Sequence, residues 1–163
     1  MNTHSMDRLA LVHPYIAYMA KKLDYVLTAR SIHIEVAQGL RTWNEQEFLY
    51  CKGRTSPGPR VTECQPGHSW HNFGLAVDVF PEGLYGTPDW NTEHPAWATI
   101  HEEALNLGFV CGADFRTFPD LPHLQMTGRL PISPDDATRQ EFQEGGLPFV
   151  WRAAALPEVP QSA

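Results

Sequence analysis

Cysteine is scarce, positive charge is in deficit and no apolar run is long, and each shortage removes a class of protein. Three cysteines, Cys51, Cys64 and Cys111, are too few and too odd in number to staple a chain of 163 residues with a disulfide framework. They fit a reduced compartment, with a Cys51–Cys64 bridge as the one pairing left open. Lys and Arg together number 12 against 19 for Asp and Glu, a net charge of −7, which disfavours a grip on a nucleic-acid backbone. The longest apolar stretches, residues 16–20 and 75–77, fall far short of the roughly 20 residues a membrane span needs. The segment Met1 to Asp7 is polar and lacks the basic-then-apolar order of a secretory signal, so a cytoplasmic origin is expected, with another exit route for any external action.

What is present is the profile of one domain with irregular connections: 42% hydrophobic residues, 14 Pro and 12 Gly. Val12, Ile16, Met19, Leu23, Val26 and Leu27 fall on one face of a helix expected to end near Ala29. Ile32, Ile34 and Val36 alternate with His33 and Glu35 in the manner of a half-buried strand. Thr42-Trp43-Asn44-Glu45 has capping-box spacing and predicts a helix from Trp43 to about Cys51. Lys52 to Gly67 reads as a long exposed loop, and loops of that length are usually functional. A buried strand is expected over Leu75 to Phe80. Trp97, Ile100, Ala104 and Leu107 mark a helix capped by Gly108. Two short strands, Phe109 to Cys111 and Leu124 to Met126, precede a last helix that starts after Ser133 and is expected to end at Gly145-Gly146. The pattern as a whole predicts an α+β domain over residues 1–148, with a small antiparallel sheet covered by helices, and a tail over 149–163 packed through Phe149 and Trp151.

Candidate chemistry gathers around Ser69-Trp70-His71-Asn72-Phe73-Gly74-Leu75-Ala76-Val77-Asp78. Imidazole nitrogen and carboxylate oxygen are both zinc ligands, and a catalytic zinc site takes three protein groups. His71 and Asp78 supply two, and His123 is the best third candidate because of its company. Asp120 stands three residues upstream across a stiffening Pro122. A carboxylate so placed can take a proton from the attacking water and pass it to a leaving amine without being a ligand. Arg41, at a strand-to-helix junction, suits a substrate carboxylate or an oxyanion, the alternative being a solvated ion pair. Ser69 either hydrogen-bonds substrate or shapes the turn before His71. His68, three residues from His71, is the rival ligand.

Ser69-x-His71-x6-Asp78 joined to Asp120-x-x-His123 resembles the zinc signature of the group that contains lysostaphin, the D-Ala-D-Ala peptidases and sonic hedgehog. It is most similar to the phage endolysin branch, the L-alanyl-D-glutamate endopeptidases. Gln38-Gly39-Leu40-Arg41-Thr42, Glu45-Gln46, Leu49-Tyr50 and Gly53-Arg54-Thr55 also resemble that branch, so the likeness runs from about Ile32 to Met126. Leu124 and Asp120 depart from it, since the branch often has an aromatic and a Glu there. The resemblance implies the hedgehog/DD-peptidase fold, one zinc ion per chain held by His71, Asp78 and His123, catalysis by Asp120 and Arg41, and substrate binding by Arg41 and Ser69. It further implies a monomer acting on the peptidoglycan stem peptide after holin-type exit or lysis, with no nucleic-acid partner. The short stretch after Gly146 leaves no room for a wall-binding module, which suits a thin cell wall.

Three rival readings stand beside the hydrolysis of L-Ala-D-Glu. One is a D-Ala-D-Ala carboxypeptidase or dipeptidase on the same zinc centre. Another is a zinc-stabilised binding module without catalysis. The third is a Cys/His amidase using Cys64 or Cys111, which needs a thiolate paired with an imidazole.

Overall fold

A computed structural model describes residues 1–83, 87 and 89–161. Nine regular elements follow in order: helix α1 (Thr3–Leu9), α2 (Pro14–Thr28), strand β1 (Ile34–Gln38), α3 (Trp43–Cys51), β2 (Ala76–Pro81), α4 (Ala96–Asn106), β3 (Val110–Cys111), β4 (His123–Gln125) and α5 (Asp136–Ala154). The four strands form one antiparallel sheet in the order β1-β2-β4-β3.

Strand alternation gives this sheet two chemically different faces. Ile34, Val36, Val77, Val79, Leu124 and Cys111 are buried on one face, and they join the apolar residues of α2 and α4 in a single core. The expected helix face is the buried one, since Ile16, Met19, Ala20, Leu23 and Leu27 line the core side of α2. Each such side chain contributes about 1.5–3 kcal/mol. The opposite face carries Gln38, Asp78, His123 and Gln125. Gln38 and His123 stand across from Asp78 on its two neighbours, and Gln125 stands across from Ala76. An irregularity between Val36 and Gln38 inserts Ala37 and turns Gln38 towards Asp78.

Local chemistry decides several boundaries. The Thr42 hydroxyl accepts from the Glu45 amide while the Glu45 carboxylate accepts from Thr42, so α3 starts where the capping box places it. Gly108, at φ +88°, follows α4 as its stop. Pro14 opens α2 and does not kink it. Helix α1 has no counterpart in the apolar pattern. It is held through polar contacts: Asn2 caps it, and the buried Ser5 hydroxyl donates to Glu35 and accepts from the Val36 amide. All three cysteines are free thiols.

The last helix departs from the expected stop. Gly146 takes φ +66° and kinks the chain, and a second helical stretch then runs to Ala154 with Pro148 in its first turn. Val150 and Ala154 are fully buried, Phe149 is half-buried, and the Trp151 indole donates to Phe73 O at 2.8 Å. The segment therefore closes the core through the side of the helix that carries Val150 and Ala154. Val150→Asp would place a carboxylate there without a partner, and a loss of about 3 kcal/mol or more in urea unfolding is expected. Unchanged stability would make the segment a detachable tail.

Candidate metal centre

Three donors meet above the polar face of the sheet. Asp78 on β2 and His123 on β4 are direct partners in the antiparallel register. His71 comes from a single 3-10 turn, Trp70–Phe73, that precedes β2. Ser69 caps that turn by accepting from the His71 amide at 3.4 Å, and Gly74 leaves it at φ +64°, where a side chain would be strained. His71 Nε2 lies 3.0 Å from Asp78 Oδ1 and 3.1 Å from His123 Nδ1, and Asp78 Oδ1 lies 3.4 Å from His123 Nδ1. Metal–ligand bonds of about 2.0–2.1 Å in a tetrahedral site place donors roughly 3.3 Å apart. The triangle is therefore close to one face of a zinc tetrahedron.

Hydrogen bonds on the far side of each donor decide which atoms face inward. A carbonyl can only accept, so His71 Nδ1 donates to Gly39 O (2.8 Å) and its Nε2 keeps a lone pair. Gln125 Nε2 donates to Ile132 O (2.9 Å), which turns Gln125 Oε1 to accept from His123 Nε2 (2.9 Å) and leaves His123 Nδ1 as a lone-pair donor. Asp78 Oδ2 accepts from Arg41 Nη2 at 3.2 Å, so Oδ1 is the oxygen that points to the imidazoles. Two imidazole lone pairs and a carboxylate oxygen converge on one point, an arrangement that a cation relieves and that a water, with two protons for three acceptors, satisfies only in part. The three residues form a cluster able to hold a metal ion.

Electrostatics agree with this arrangement. Burial works to raise the Asp78 pKa, but the imidazoles of His71 and His123 facing it, which favour its ionised form, hold it well below the usual carboxylate range. Burial lowers His71 against the pull of Asp78, keeping it neutral. His123 is raised despite its burial, through Asp78 and Gln125, so it is the imidazole that takes a proton when no metal is bound.

A cavity of about 760 Å³ opens over the three donors. Residues 61–64 of the long loop form one wall, and residues 115–118 contribute another part of the lining. Asp120 faces this cavity from a turn closed at Gly112, whose carbonyl accepts from both Phe115 N (3.0 Å) and Asp120 N (2.9 Å). A Cβ on Gly112 would lie 2.6 Å from Asp120 O and 2.8 Å from His123 Cβ, so only glycine fits beneath the turn. Burial, then the charge of Asp78, pushes the Asp120 carboxyl up to about 6, with His123 and Arg41 pulling the other way.

The structure brings His71, Asp78 and His123 together and sets Asp120, Arg41 and Ser69 on the same cavity. Arg41 is no solvated ion pair. It is nine-tenths buried, binds Asp78 through Nη2 and Gln46 Oε1 through Nη1 (3.0 Å), and has a buried Nε without a partner. Its backbone is tied to the turn, with Arg41 N donating to His71 O and Asn72 Nδ2 donating to Arg41 O, both at 3.0 Å. His68 lines the cavity but stands outside the donor cluster. Cys64 also lines it, and burial raises its thiol pKa, which is contrary to a thiolate nucleophile. Cys111 is buried and pushed up to about 11.

Sequence reading singled out neither Gln125 nor Gly112, and it noted Gln46 only as part of a resemblance. Gln125 had a signal, since period-two alternation puts it on the face of His123. Gln46 is wholly buried and joins Arg41 to Cys64 O (2.8 Å), a link that no helical pattern announces. Gly112 has an ordinary φ and is required by a contact eight and eleven residues away.

Comparisons with known proteins converge on one kind of enzyme. A family model described as D-alanyl-D-alanine carboxypeptidase matches residues 63–126, which include all three donors, Ser69 and Asp120. The chain is 34% identical over 122 residues to the peptidoglycan L-alanyl-D-glutamate endopeptidase CwlK of Bacillus subtilis (strain 168), covering 71% of this chain and 73% of that one. Among solved structures it is similar to the Serratia marcescens L-Ala D-Glu endopeptidase ChiX, with a TM-score of 0.55, 25% identity, and coverage of 79% and 90%. It shares its fold with the vancomycin-resistance D,D-pentapeptidase VanY in complex with Zn(II), at a TM-score of 0.54, 18% identity, and coverage of 83% and 80%.

Metal content separates the donors from their neighbours. His71→Ala, Asp78→Ala and His123→Ala should each lose bound zinc in equilibrium titration, whereas His68→Ala should keep about one zinc per chain. Protons compete for the raised His123, so affinity should fall as the pH is lowered through the range where that imidazole protonates. Zinc loss confined to the His68 variant would move the site.

Proposed function

The chain belongs to the peptidase family of the D-alanyl-D-alanine carboxypeptidases and L-alanyl-D-glutamate endopeptidases, and on that premise we propose that it is a zinc-dependent peptidoglycan peptidase cutting between L-Ala and D-Glu of the stem peptide. The observation that carries this reading is the inward-facing triangle of His71 Nε2, Asp78 Oδ1 and His123 Nδ1 with the Asp120 carboxyl on the same cavity. The choice of bond is supported by the likeness to CwlK and ChiX. The proposed setting is a monomer that reaches the wall from the cytoplasm by holin-type exit or lysis, in keeping with the endolysin branch.

His71, Asp78 and His123 would hold the zinc, which when bound would supply Lewis-acid activation of the water and of the scissile carbonyl. The chain's own residues do the rest. Asp120 as carboxylate takes the proton of the attacking water and returns it to the amine that leaves as the new N-terminus of D-Glu. Arg41 fixes Asp78 so that one oxygen alone faces inward, and its positive charge offsets the negative charge that develops at the carbonyl oxygen. Ser69 holds the turn that aims His71, with its hydroxyl on the cavity side. A D-Ala-D-Ala carboxypeptidase is the second reading, favoured by the description of the matched family model.

Mass spectrometry of fragments released from purified peptidoglycan by the zinc-loaded chain distinguishes these outcomes. New N-terminal D-Glu is expected. Release of D-Ala from otherwise intact stems would favour the second reading, and no cleavage at all would leave a binding module.

Asp120→Asn should bind zinc nearly as the parent does and lose roughly two to four orders of magnitude in rate. Because the carboxylate form is the active one, the parent's rate should rise with pH through a value at or below about 6, as bound zinc adds a further pull downwards. Full activity in Asp120→Asn would remove the proton-transfer role.

A further inference from the structure

Two permanently charged cations line the cavity, Arg41 and Arg116, and they differ in what surrounds them. Arg41 is nine-tenths buried and gives both Nη atoms to Asp78 and Gln46. Arg116 is exposed and has no hydrogen bond or ion pair among the described residues. Three carboxylates share the lining: Asp78, Asp120 and Glu63. Glu63 is held by Arg54 at 2.6 Å and by Arg60 at 3.9 Å. Among the described side chains of the lining, Arg116 is therefore the exposed cation that no carboxylate engages.

The place of Arg116 is set by the turn that also sets Asp120. The Gly112 carbonyl closes that turn at both ends, and the Phe115 ring lies against His123 with centroids 5.7 Å apart. Arg116 is thus the neighbour of a side chain packed on a metal ligand, and it lies four residues from the proposed proton donor.

The substrate proposed above brings an anion to this region. D-Glu of the stem peptide continues the chain through its γ-carboxyl, so its α-carboxyl is free, two bonds from the scissile nitrogen. When Asp120 is close enough to protonate that nitrogen, the α-carboxylate comes with it towards the Asp120 carboxylate, the charge of Asp78 being offset by Arg41 and by the zinc it would hold, and that of Glu63 by Arg54. The Asp120 charge opposes that approach, and the unpaired Arg116 guanidinium on the same cavity lining offers the α-carboxylate a partner. In some walls this α-carboxyl is amidated, which removes the charge.

Resting on the L-Ala-D-Glu reading, we infer that Arg116 is the specificity-determining residue that binds the D-Glu α-carboxylate and selects acidic stem peptides over those amidated at this position.

The test uses the zinc-loaded full chain and three synthetic stem peptides: one with D-Glu, one with its α-amide, and one amidated instead on the free carboxylate of the following diamino acid. The parent should favour the D-Glu peptide over its α-amide by about tenfold in kcat/KM, mainly through KM. The preference should shrink as salt rises from about 0.05 to about 0.5 M, because an exposed pair is screened. In Arg116→Ala the acid-to-amide ratio should fall to about one, and Arg116→Lys should keep part of it. The inference is overturned if the parent cleaves acid and amide equally, if Arg116→Ala keeps the ratio, or if only the third peptide is discriminated. Absence of cleavage after L-Ala in every peptide would overturn the L-Ala-D-Glu reading itself, and this inference with it.

Discussion

Two imidazole lone pairs and a carboxylate oxygen held 3.0–3.4 Å apart repel one another unless a metal ion or a proton lies among them, and much of the fold serves to keep them there. The β2–β4 register puts Asp78 opposite His123. Gly39, Gln125 and Arg41 then each take the outward atom of one donor. These outer partners come from two segments far apart in sequence, residues 39–41 and Gln125, so the centre depends on the tertiary arrangement that brings them together. A binding energy this dependent on folding makes metal and stability mutually supportive.

The same connections tie the centre to its cavity. Gln46 bonds to Arg41 on one side and to the Cys64 carbonyl on the other, linking the Asp78 ligand to the long loop that forms a wall. Arg54 fastens that loop by donating to Tyr50 O and Thr62 O and by pairing with Glu63. On another part of the lining, Gly112 fixes the turn that carries Asp120. The donor cluster and two parts of the cavity lining are thus each held in place by hydrogen bonds of their own.

The parts of this architecture that were legible in sequence are those whose causes are local. The capping box at Thr42 and Glu45 fixes the start of α3, and apolar spacing marks the buried face of α2. The cluster of His71, Asp78 and His123 was legible through resemblance as well as chemistry. Helix α1 was not, because a buried Ser5–Glu35 contact holds it in place of an apolar stripe. The end of α5 was misplaced because glycine pairs usually stop helices, yet a proline at the first turn restarts this one and buries Val150. Arg41 was read for its charge, and its bond to a ligand's second oxygen appears only once β2 is folded beside it.

Nitrogen-15 NMR of the imidazoles in the zinc-loaded chain tests the central claim that bonds on the far side of each ligand select the atoms facing the metal. His71 should bind through Nε2 with Nδ1 protonated, and His123 through Nδ1 with Nε2 protonated. Ligation through the opposite nitrogen of either ring, or a zinc-dependent shift at His68 in place of one of them, would contradict the account.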